Sequence, residues 1–292
     1  MFIKLKSNAN DCTVVIVTYN SAHCLANLLG SSLSGERIIF VDNASEDGTP
    51  QAIAEAFPNA SLIQQTHNVG FGAANNAALR EVSTRYALLL NPDCILEEGV
   101  VSQLVEAGSH FPTAAIIAPC LTRGNGKIEL SYRWPHTRWL PRGPEASGPC
   151  CVGFVSGAAM LLNMEEMRAI GFFDETFFLY YEDEDLCLRA FEKKKQIIVV
   201  PDVRLVHLSR GSAKGRNPMR SEFLRGFHHV QSKLTFEHKH YGSERAARLR
   251  WKTFALAVLS LLPRLLLPQP KYLARLVGRI TGLCLPYSRI SK

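Results

Sequence analysis

The first half of the chain alternates short apolar runs with segments of helical periodicity. The apolar runs that we predict to be strands are Thr13–Tyr19, Arg37–Val41, Ser61–Gln65, Tyr86–Leu90 and Ala114–Ala118. Runs such as VVIV and LLL are continuous in Val, Ile and Leu, as in strands buried on both faces. Strands that alternate with helices are typical of a doubly wound sheet. The pattern therefore predicts an α/β fold, with a mostly parallel sheet flanked by helices.

The second half of the chain has a less regular pattern. Residues 121–151 are rich in Gly, Pro, Arg and Trp, so we expect a loop or irregular insertion beside the site. The elements predicted beyond it are a strand at Ser156–Asn163, a helix at Met164–Ile170, a helix from about Glu182, strands near Ile197–Val200 and Val203–Val206, and a helical tail from about Arg220.

The tail contains an apolar stretch at 254–267 that Pro263 interrupts. It is too short and too broken to cross a bilayer, which takes roughly 20 apolar residues. An amphipathic helix at a membrane surface and a helix packed on the core both fit this pattern, and we keep both interpretations.

Charge divides the chain more sharply than the net value of +7 indicates. Residues 1–203 carry 15 Lys and Arg against 23 Asp and Glu, a net charge of −8, whereas residues 204–292 carry 18 against 3, a net charge of +15. Because the basic residues alternate with leucines and prolines, we expect an anionic membrane surface or a phosphate-bearing lipid as partner, and no nucleic acid. A merely solvated basic face is the alternative.

The N-terminal residues lack the apolar core of a secretory signal, and none of the eight cysteines forms a C-x-x-C pair. We therefore expect a cytoplasmic protein, peripheral at the inner face of the membrane, with reduced and mostly buried thiols.

Polar residues follow the predicted strands at the point where each strand ends. They are Thr18, Tyr19 and Asn20 after the first strand, Asp42 and Asn43 after the second, and Asn91 and Asp93 after the fourth. Ligands of a doubly wound sheet bind beyond the carboxyl ends of its strands. Asp42 could accept a hydrogen bond from a pyrimidine or a ribose, or could cap a helix, and these two interpretations have equal weight.

Asn91-Pro92-Asp93 places a carboxylate beside a rigid proline, where it could hold a divalent cation against a diphosphate, although an ordinary turn has the same sequence. The segment 67–76 opens a predicted helix with glycines, among them Gly70, which let backbone amides approach a phosphate or sugar. It resembles half of a dinucleotide fingerprint, but it does not follow the first strand, so we regard a dinucleotide fold as a weak alternative.

Four consecutive carboxylates, Glu182 to Asp185, follow the aromatic segment 177–181. Crowded charges and an apolar wall raise the proton affinity of at least one of them, which is how a general base is tuned. A structural helix with the acids paired to Arg189 and Lys193–Lys195 is the alternative. His207, which ends the last predicted strand, is either structural or a ligand that completes the coordination begun by Asp93.

Several of these motifs resemble family-2 glycosyltransferases of the rhamnosyltransferase-like branch. They are VVIVTYNS, FVDNASEDGT, HNVGFGAANN, LLNPD, SGAAMLLN, GFFDETFFLYYEDEDLCLRA and VPDVRLVH, which span about residues 13–240. The resemblance implies a GT-A fold, with residues 1–240 as the transferase domain. Its nucleotide-binding half is about 11–120 and its acceptor half about 150–215. Residues 241–292 would be a basic amphipathic helical tail that could associate with a membrane surface.

The resemblance also implies roles for individual residues. It implies Thr18, Tyr19, Asp42, Asn68 and Asn76 on the donor side, Asp93 and His207 as metal ligands, and Asp183 as the catalytic base. We further expect Asn20, Asn43, Gly70 and Asn91 on the donor side, and Gly157, Tyr181 and Glu182 on the acceptor side. The metal would be Mg²⁺ or Mn²⁺. Asn91 stands where many relatives carry Asp, so a single carboxylate would hold the ion loosely.

The function that we expect from this resemblance is the inverting transfer of a sugar from a nucleotide diphosphate donor, with dTDP-rhamnose favoured. The acceptor would be a lipid-linked or polysaccharide glycan in cell-surface polysaccharide synthesis. Two alternatives remain, a sugar nucleotidyltransferase and a non-catalytic glycan- or nucleotide-binding module. The absence of a triphosphate-binding loop rich in glycine and lysine disfavours the first.

Overall fold

The computed structural model describes residues 11–29, 33, 35–133, 145–208, 217–266 and 269–286. The described chain forms two compact units. The first comprises residues up to 69, 74–173 and 186–208, and the second comprises 70–73, 174–185 and the residues from 217 onward.

The strands are β1 (Cys12–Thr18), β2 (Arg37–Asp42), β3 (Ser61–Gln64), β4 (Tyr86–Leu90), β5 (Cys94–Ile95), β6 (Ala114–Thr122), β7 (Ile128–Glu129), β8 (Tyr132–Arg133), β9 (Cys150–Cys151), β10 (Phe154–Val155), β11 (Ala159–Asn163) and β12 (Gln196–His207). The helices are α1 (Leu25–Leu29, after a 3₁₀ turn at Ala22–Cys24), α2 (Thr49–Ala56), α3 (Phe71–Leu79), α4 (Val100–His110), α5 (Met164–Ile170), α6 (Glu182–Glu192), α7 (Pro218–Tyr241), α8 (Ser243–Leu259), α9 (Leu261–Leu266) and α10 (Pro270–Cys284).

The main sheet of the first unit has the order β3-β2-β1-β4-β11-β6-β12-β5. The strands β3, β2, β1 and β4 are parallel to one another, as are β6 and β12. Strand β11 lies antiparallel between β4 and β6, and β5 is antiparallel to β12. The prediction of an α/β fold with a mostly parallel sheet is confirmed, and the antiparallel strands are additions to it.

Every residue of β1 and of β4 is buried, as their continuous apolar sequences predict. The core around them includes Val14, Ile16, Phe40 and Leu88. All eight cysteines are free thiols, and most of them are buried, as expected. Because β1 pairs in parallel with both β2 and β4, the carboxyl ends of these three strands lie side by side above the buried core.

The structure corrects three predicted elements. The strand expected from Ser156 begins at Ala159, and the strands expected near 197–200 and 203–206 are one strand, β12. Its register against β6 shifts between Val200 and Arg204, around Pro201, because proline has no N–H to donate to the ladder. The segment 121–151 is not all irregular: it contains β7, β8 and β9, whereas residues 134–144 lie outside the described part.

The second unit is built on three helices, α7, α8 and α10. Helix α10 packs against α7 so closely that glycines are needed at the crossing. A Cβ on Gly226 would collide with the carbonyl of Arg275, and one on Gly278 with the carbonyl of Phe223. Within 241–292, α10 therefore packs on its own unit. In the described residues, no helix combines the length and apolar character that crossing a bilayer requires.

Candidate functional site

The residues that follow β1 and β2 form one hydrogen-bonded cluster in the first unit. Thr18 lies in register with Asp42, and its Oγ1 donates to Asp42 Oδ1 at 3.1 Å. The N–H and Oγ of Ser45 donate to Asp42 Oδ2 and Oδ1 at 2.9 and 2.6 Å. Asp42 thus holds the turn after β2, and it is not a helix N-cap, since α2 begins at Thr49 after Gly48. The predicted nucleotide contact of Asp42 is not tested by these bonds.

Three asparagines extend this cluster. Asn43 Nδ2 donates to Asn68 Oδ1, and Asn43 Oδ1 accepts the N–H of Val69, both at 2.9 Å. Asn20, in the left-handed region with a φ of 51°, accepts a main-chain N–H from the loop after β2 at 2.8 Å. Tyr19 is 48% exposed, so its ring is available to a ligand. The structure therefore brings these predicted donor-side residues together at one edge of the sheet.

Gly70 and Asn76 have contacts within the protein that the sequence did not predict. A Cβ on Gly70 would collide with the carbonyl of Phe178, and the neighbouring N–H of Phe71 donates to that carbonyl at 3.0 Å. Asn76 Nδ2 donates to the carbonyl of Phe173 at 2.9 Å, and its Oδ1 accepts the Phe173 N–H at 3.0 Å. These bonds show that both residues hold the fold, and their contact with a donor stays a prediction.

The turn after β4 has the geometry that its Asn-Pro-Asp sequence indicates. The carbonyl of Asn91 accepts the Cys94 N–H at 3.1 Å, and the Asn91 N–H donates to the carbonyl of Ala158 at 2.9 Å. Gly157, predicted on the acceptor side, is buried in the turn before Ala158. The side chain of Asp93 is only 1% exposed.

Pairing of β5 with β12 brings Asp93 beside His207. His207 lies opposite Cys94 in the antiparallel ladder, and the N–H of Leu208 donates to the carbonyl of Asp93 at 3.0 Å. As a result, His207 Nε2 is 3.6 Å from Asp93 Oδ1. The other ring nitrogen, Nδ1, is 3.3 Å from Oε2 of Glu129. The two predicted metal ligands are thus neighbours, and a second carboxylate lies beyond them.

The negative charge of Asp93 favours the protonated forms of His207 and Cys94. Burial by itself lowers the pKa of His207, but the hydrogen bond and charge of Asp93, together with Glu129, more than offset it and leave the pKa raised. Burial, and secondarily the charge of Asp93, raise the pKa of the Cys94 thiol well above its usual range. The thiol, whose Sγ lies 3.5 Å from the carbonyl of Ala158, is therefore in its neutral form.

The arrangement fits a divalent cation. Asp93, Cys94 and His207 offer ligand atoms that all lie within 4.8 Å of one another. Two ligands of one ion with bonds of about 2.1 Å lie about 3.0–3.5 Å apart, close to the 3.6 Å between Oδ1 and Nε2. A carboxylate suits both Mn²⁺ and Mg²⁺, and an imidazole suits the transition metal Mn²⁺ better than Mg²⁺, whereas a protonated thiol suits neither. Asp93 and His207 are therefore the residues that would hold the ion.

In the second unit, the four carboxylates at the start of α6 have different environments. Glu182 is 6% exposed, and its Oε2 has no hydrogen-bond partner among the residues that the structure describes. Burial, and then the charges of Asp183 and Glu184, raise the pKa of Glu182 well above its usual range. The prediction that one acid of this cluster gains proton affinity is confirmed, and that acid is Glu182.

Asp185 is the acid with a structural role. It is fully buried, and its Oδ1 accepts hydrogen bonds from Lys239 Nζ at 2.5 Å and from His240 Nε2 at 2.8 Å. Asp183 is half-buried, and its Oδ1 accepts the N–H of Glu184 at 2.9 Å. The alternative of a structural helix therefore holds for Asp185, although its basic partners come from α7.

The backbone before α6 is strained. Tyr180 and Tyr181 have φ values of 69° and 72°, a region that L-residues rarely occupy. The ring of Tyr181 packs edge-on against His229, with centroids 5.6 Å apart, and the carbonyl of Leu179 accepts a hydrogen bond from Ser232 at 2.8 Å. Consecutive strained residues persist where surrounding contacts hold them, and they mark this segment as a functional candidate.

Glu129 is not among the predicted site residues, because it lies in a segment whose sequence pattern appeared irregular. The alternation of Ile128, Glu129, Leu130, Ser131 and Tyr132 is nevertheless typical of a strand, and it could have indicated that Glu129 lies on one face. Its neighbour His207 lies 78 residues further along the chain, so no local signal joins the two.

Comparison with known proteins identifies the family. The family model described as glycosyl transferase family 2 matches residues 13–163, about half of the chain. An N-acetylglucosaminyl-diphospho-decaprenol L-rhamnosyltransferase from Mycobacterium tuberculosis is 29% identical over 275 residues, which cover 82% of this chain and 87% of that protein. A pre-mycofactocin glycosyltransferase from the same organism is 30% identical over 68% of this chain and 42% of its own length.

Solved structures show the same fold at low sequence identity. A mannosyltransferase from Pyrobaculum calidifontis, in complex with GDP-Man and Mn²⁺, has a TM-score of 0.55 at 17% identity, over 97% of this chain and 88% of its own. GalNAc-T7 with UDP, GalNAc and Mn²⁺ has a TM-score of 0.52 at 14% identity, over 67% and 42%. This chain therefore belongs to glycosyl transferase family 2, as a rhamnosyltransferase-like glycosyltransferase of GT-A fold.

Proposed function

We propose that this protein transfers rhamnose from dTDP-rhamnose to a sugar on a polyprenyl diphosphate, with inversion at the anomeric carbon. The rhamnosyl group and the acceptor class are those of the mycobacterial relative, which matches over most of both chains. The dTDP carrier follows from the resemblance of the sequence motifs to the rhamnosyltransferase-like branch. Within the structure, the proposal depends on one observation, the 3.6 Å approach of His207 to Asp93 beyond the strand ends. The family match favours glycosyl transfer over a nucleotidyltransferase or a non-catalytic module.

Asp93 and His207 would hold Mn²⁺ or Mg²⁺, which neutralises the charge of the departing diphosphate. Tyr19, Asp42 and the asparagines after β1 and β2 would bind the nucleotide. Hydrogen bonds from Ser45 to Asp42 and from Asn43 to Asn68 hold Asp42 and Asn43 in place before the donor arrives, so little ordering remains to be done on binding.

Asp183 would act as the general base. The acceptor hydroxyl oxygen forms a bond to the anomeric carbon, the bond from that carbon to the diphosphate oxygen breaks, and the hydroxyl proton passes to Asp183. Asp185 is engaged by Lys239 and His240, and Glu182 is buried with a raised pKa. The half-buried Asp183 is therefore better suited to meet an acceptor.

A direct assay tests this function. The full-length protein is incubated with Mn²⁺, radiolabelled dTDP-rhamnose and N-acetylglucosaminyl-diphospho-polyprenol, and the lipid product is separated by chromatography. We expect rhamnosylated lipid, with roughly 10²–10⁴-fold less product from Asp183→Asn and wild-type folding by circular dichroism. Glu55→Ala, on the exposed face of α2, is the matched control. Efficient transfer from UDP- or GDP-sugars but not from dTDP-rhamnose would overturn the donor assignment.

We also propose that the protein binds an anionic membrane surface through the exposed side chains of α8 and α9. Four large apolar side chains are exposed there: Trp251 is 71% exposed, Leu259 is 72% exposed, and Leu256 and Leu265 are 58% and 54% exposed. Arg248 and Lys252 are exposed on the same helix, and residues 245–292 carry 10 Lys and Arg but no Asp or Glu. Exposed apolar side chains interspersed with cations match an anionic bilayer, where a lipid-linked acceptor resides.

Vesicle flotation tests this surface. Deletion of residues 245–292 would remove α10 from α7 and disturb the fold, so point substitutions are the better probe. We expect the full chain to float with phosphatidylglycerol vesicles and not with phosphatidylcholine vesicles, and Trp251→Ala with Leu259→Ala to lose this binding. Phe191→Ala, an exposed aromatic side chain in α6, is the control. Unchanged flotation of the double variant would rule out this surface.

A further inference from the structure

Glu129 has no part in the reaction described above, yet its carboxylate reaches the proposed metal site. Its Oε2 lies 3.3 Å from His207 Nδ1, on the side of the ring opposite the nitrogen that faces Asp93. His207 is 15% exposed and Glu129 is 26% exposed, so the contact lies at the rim of the site.

The sheet register explains why these two residues meet. Glu129 lies opposite Leu121 in the β7–β6 ladder, and Leu121 lies opposite Leu205 in the β6–β12 ladder. His207 is two residues beyond Leu205, on the same face of β12, because side chains of a strand alternate. The contact therefore depends on three strands, and its members come from distant parts of the sequence.

An imidazole presents one nitrogen as a hydrogen-bond donor and the other as a lone pair when it is neutral. If Nδ1 donates its proton to Glu129, Nε2 is left with the lone pair that a metal requires, and that nitrogen is the one that lies 3.6 Å from Asp93 Oδ1. A carboxylate behind a ligating histidine also fixes the orientation of the ring and raises its basicity.

We propose that Glu129 is a positioning residue, which orients His207 so that Nε2 faces the metal beside Asp93. The inference rests on the proposed metal-dependent function. Glu129, in the segment 121–151, would thus be a second carboxylate at the site. It would not contact the metal, but it would make His207 a stronger ligand, which explains how a site with one carboxylate ligand could hold its ion.

Mn²⁺ binding is the first test, because it requires no catalysis. Free Mn²⁺ is measured by its electron paramagnetic resonance signal during titration of the full chain in the presence of dTDP. We expect Glu129→Ala to weaken Mn²⁺ binding roughly 10- to 100-fold, and Glu129→Gln, whose amide oxygen still accepts from Nδ1, to keep most of the affinity. His207→Ala gives the level reached when the ligand is lost, and Glu55→Ala is the surface control.

Transfer kinetics are a second measurement, and a purely structural role of Glu129 would not change their dependence on Mn²⁺. For Glu129→Ala we expect the Mn²⁺ concentration for half-maximal rate to rise by the same factor, and kcat to recover at saturating Mn²⁺. If Glu129→Ala binds Mn²⁺ like the wild type while His207→Ala does not, the role of Glu129 is refuted and the metal site stands. If the wild type itself binds no Mn²⁺ with dTDP, the metal site is wrong and the role of Glu129 is refuted with it.

Discussion

Replacement of Gly70 by alanine tests the connection between the start of α3 and the segment that precedes α6. Gly70 has a φ of 91°, a conformation that costs an L-residue about 1–2 kcal/mol. Its Cβ would also collide with the carbonyl of Phe178, and a backbone shift that relieves such overpacking costs about 1–3 kcal/mol. The hydrogen bond from Phe71 to that carbonyl would be lost as well, which costs about 0.5–1.5 kcal/mol. We therefore expect Gly70→Ala to lose about 3–6 kcal/mol of unfolding free energy.

Gly48 provides the matched control for this substitution. Its φ of 85° is nearly the same, but within the described part of the chain no atom lies within 4 Å of the position that a Cβ would take. Gly48→Ala should therefore lose only the conformational share, about 1–2 kcal/mol. Urea unfolding of both variants, followed by far-ultraviolet circular dichroism, measures the difference. Equal losses for the two variants would refute the close approach of Gly70 to Phe178.

Three further predictions concern the acid cluster, the helical unit and the metal site. Glu182 has a raised folded pKa, so the folded state binds more protons than the unfolded state above about pH 4.5, and stability falls as pH rises through that range. Glu182→Gln should therefore be more stable than the wild type at pH 8 and equal to it near pH 4, in thermal melts; a constant difference across pH would contradict this. Gly278→Ala should lose about 1–3 kcal/mol because its Cβ meets α7, whereas Gly148→Ala, in open space, should lose little; equal melting temperatures would contradict the crossing. Asp93→Asn should abolish most Mn²⁺ binding by calorimetry with dTDP, and unchanged binding would exclude Asp93 as the ligand.

In the first unit, local patterns of apolar and polar residues predict the long strands. The five predicted strands of the first half exist. Strand β4 has the predicted bounds, the ends of β1, β2 and β3 differ from the predictions by one residue, and β6 runs four residues further, to Thr122. Continuous apolar runs predict such strands because both faces of a parallel sheet are buried. The helix at Met164–Ile170 is also as predicted, with Asn163 accepting the N–H of Glu165 at its start. Such signals are local, since they depend on residues a few positions apart.

The clustering of the residues predicted on the donor side could be expected from the sequence for the same reason. Parallel strands end at a common edge, so polar residues after β1, β2 and β4 must be neighbours whatever the details of the sheet. What these side chains contact was not predictable. Asp42 bonds to Ser45, and Asn76 bonds to Phe173, 97 residues away. These contacts are decided by loop conformation and not by the position of a residue after a strand.

The sequence by itself determined the five strands predicted in the first half, the polar edge of the sheet and the crowded acids at the start of α6. Only the tertiary structure decided in which of those acids burial raises the pKa, that β12 runs unbroken past Pro201, and that Glu129 meets His207 across two ladders. The physical reason is that periodicity and burial of a segment depend on its own residues. The pKa of Glu182 and the surroundings of His207 depend on groups that are distant in sequence and that only strand pairing and helix packing bring within a few ångströms.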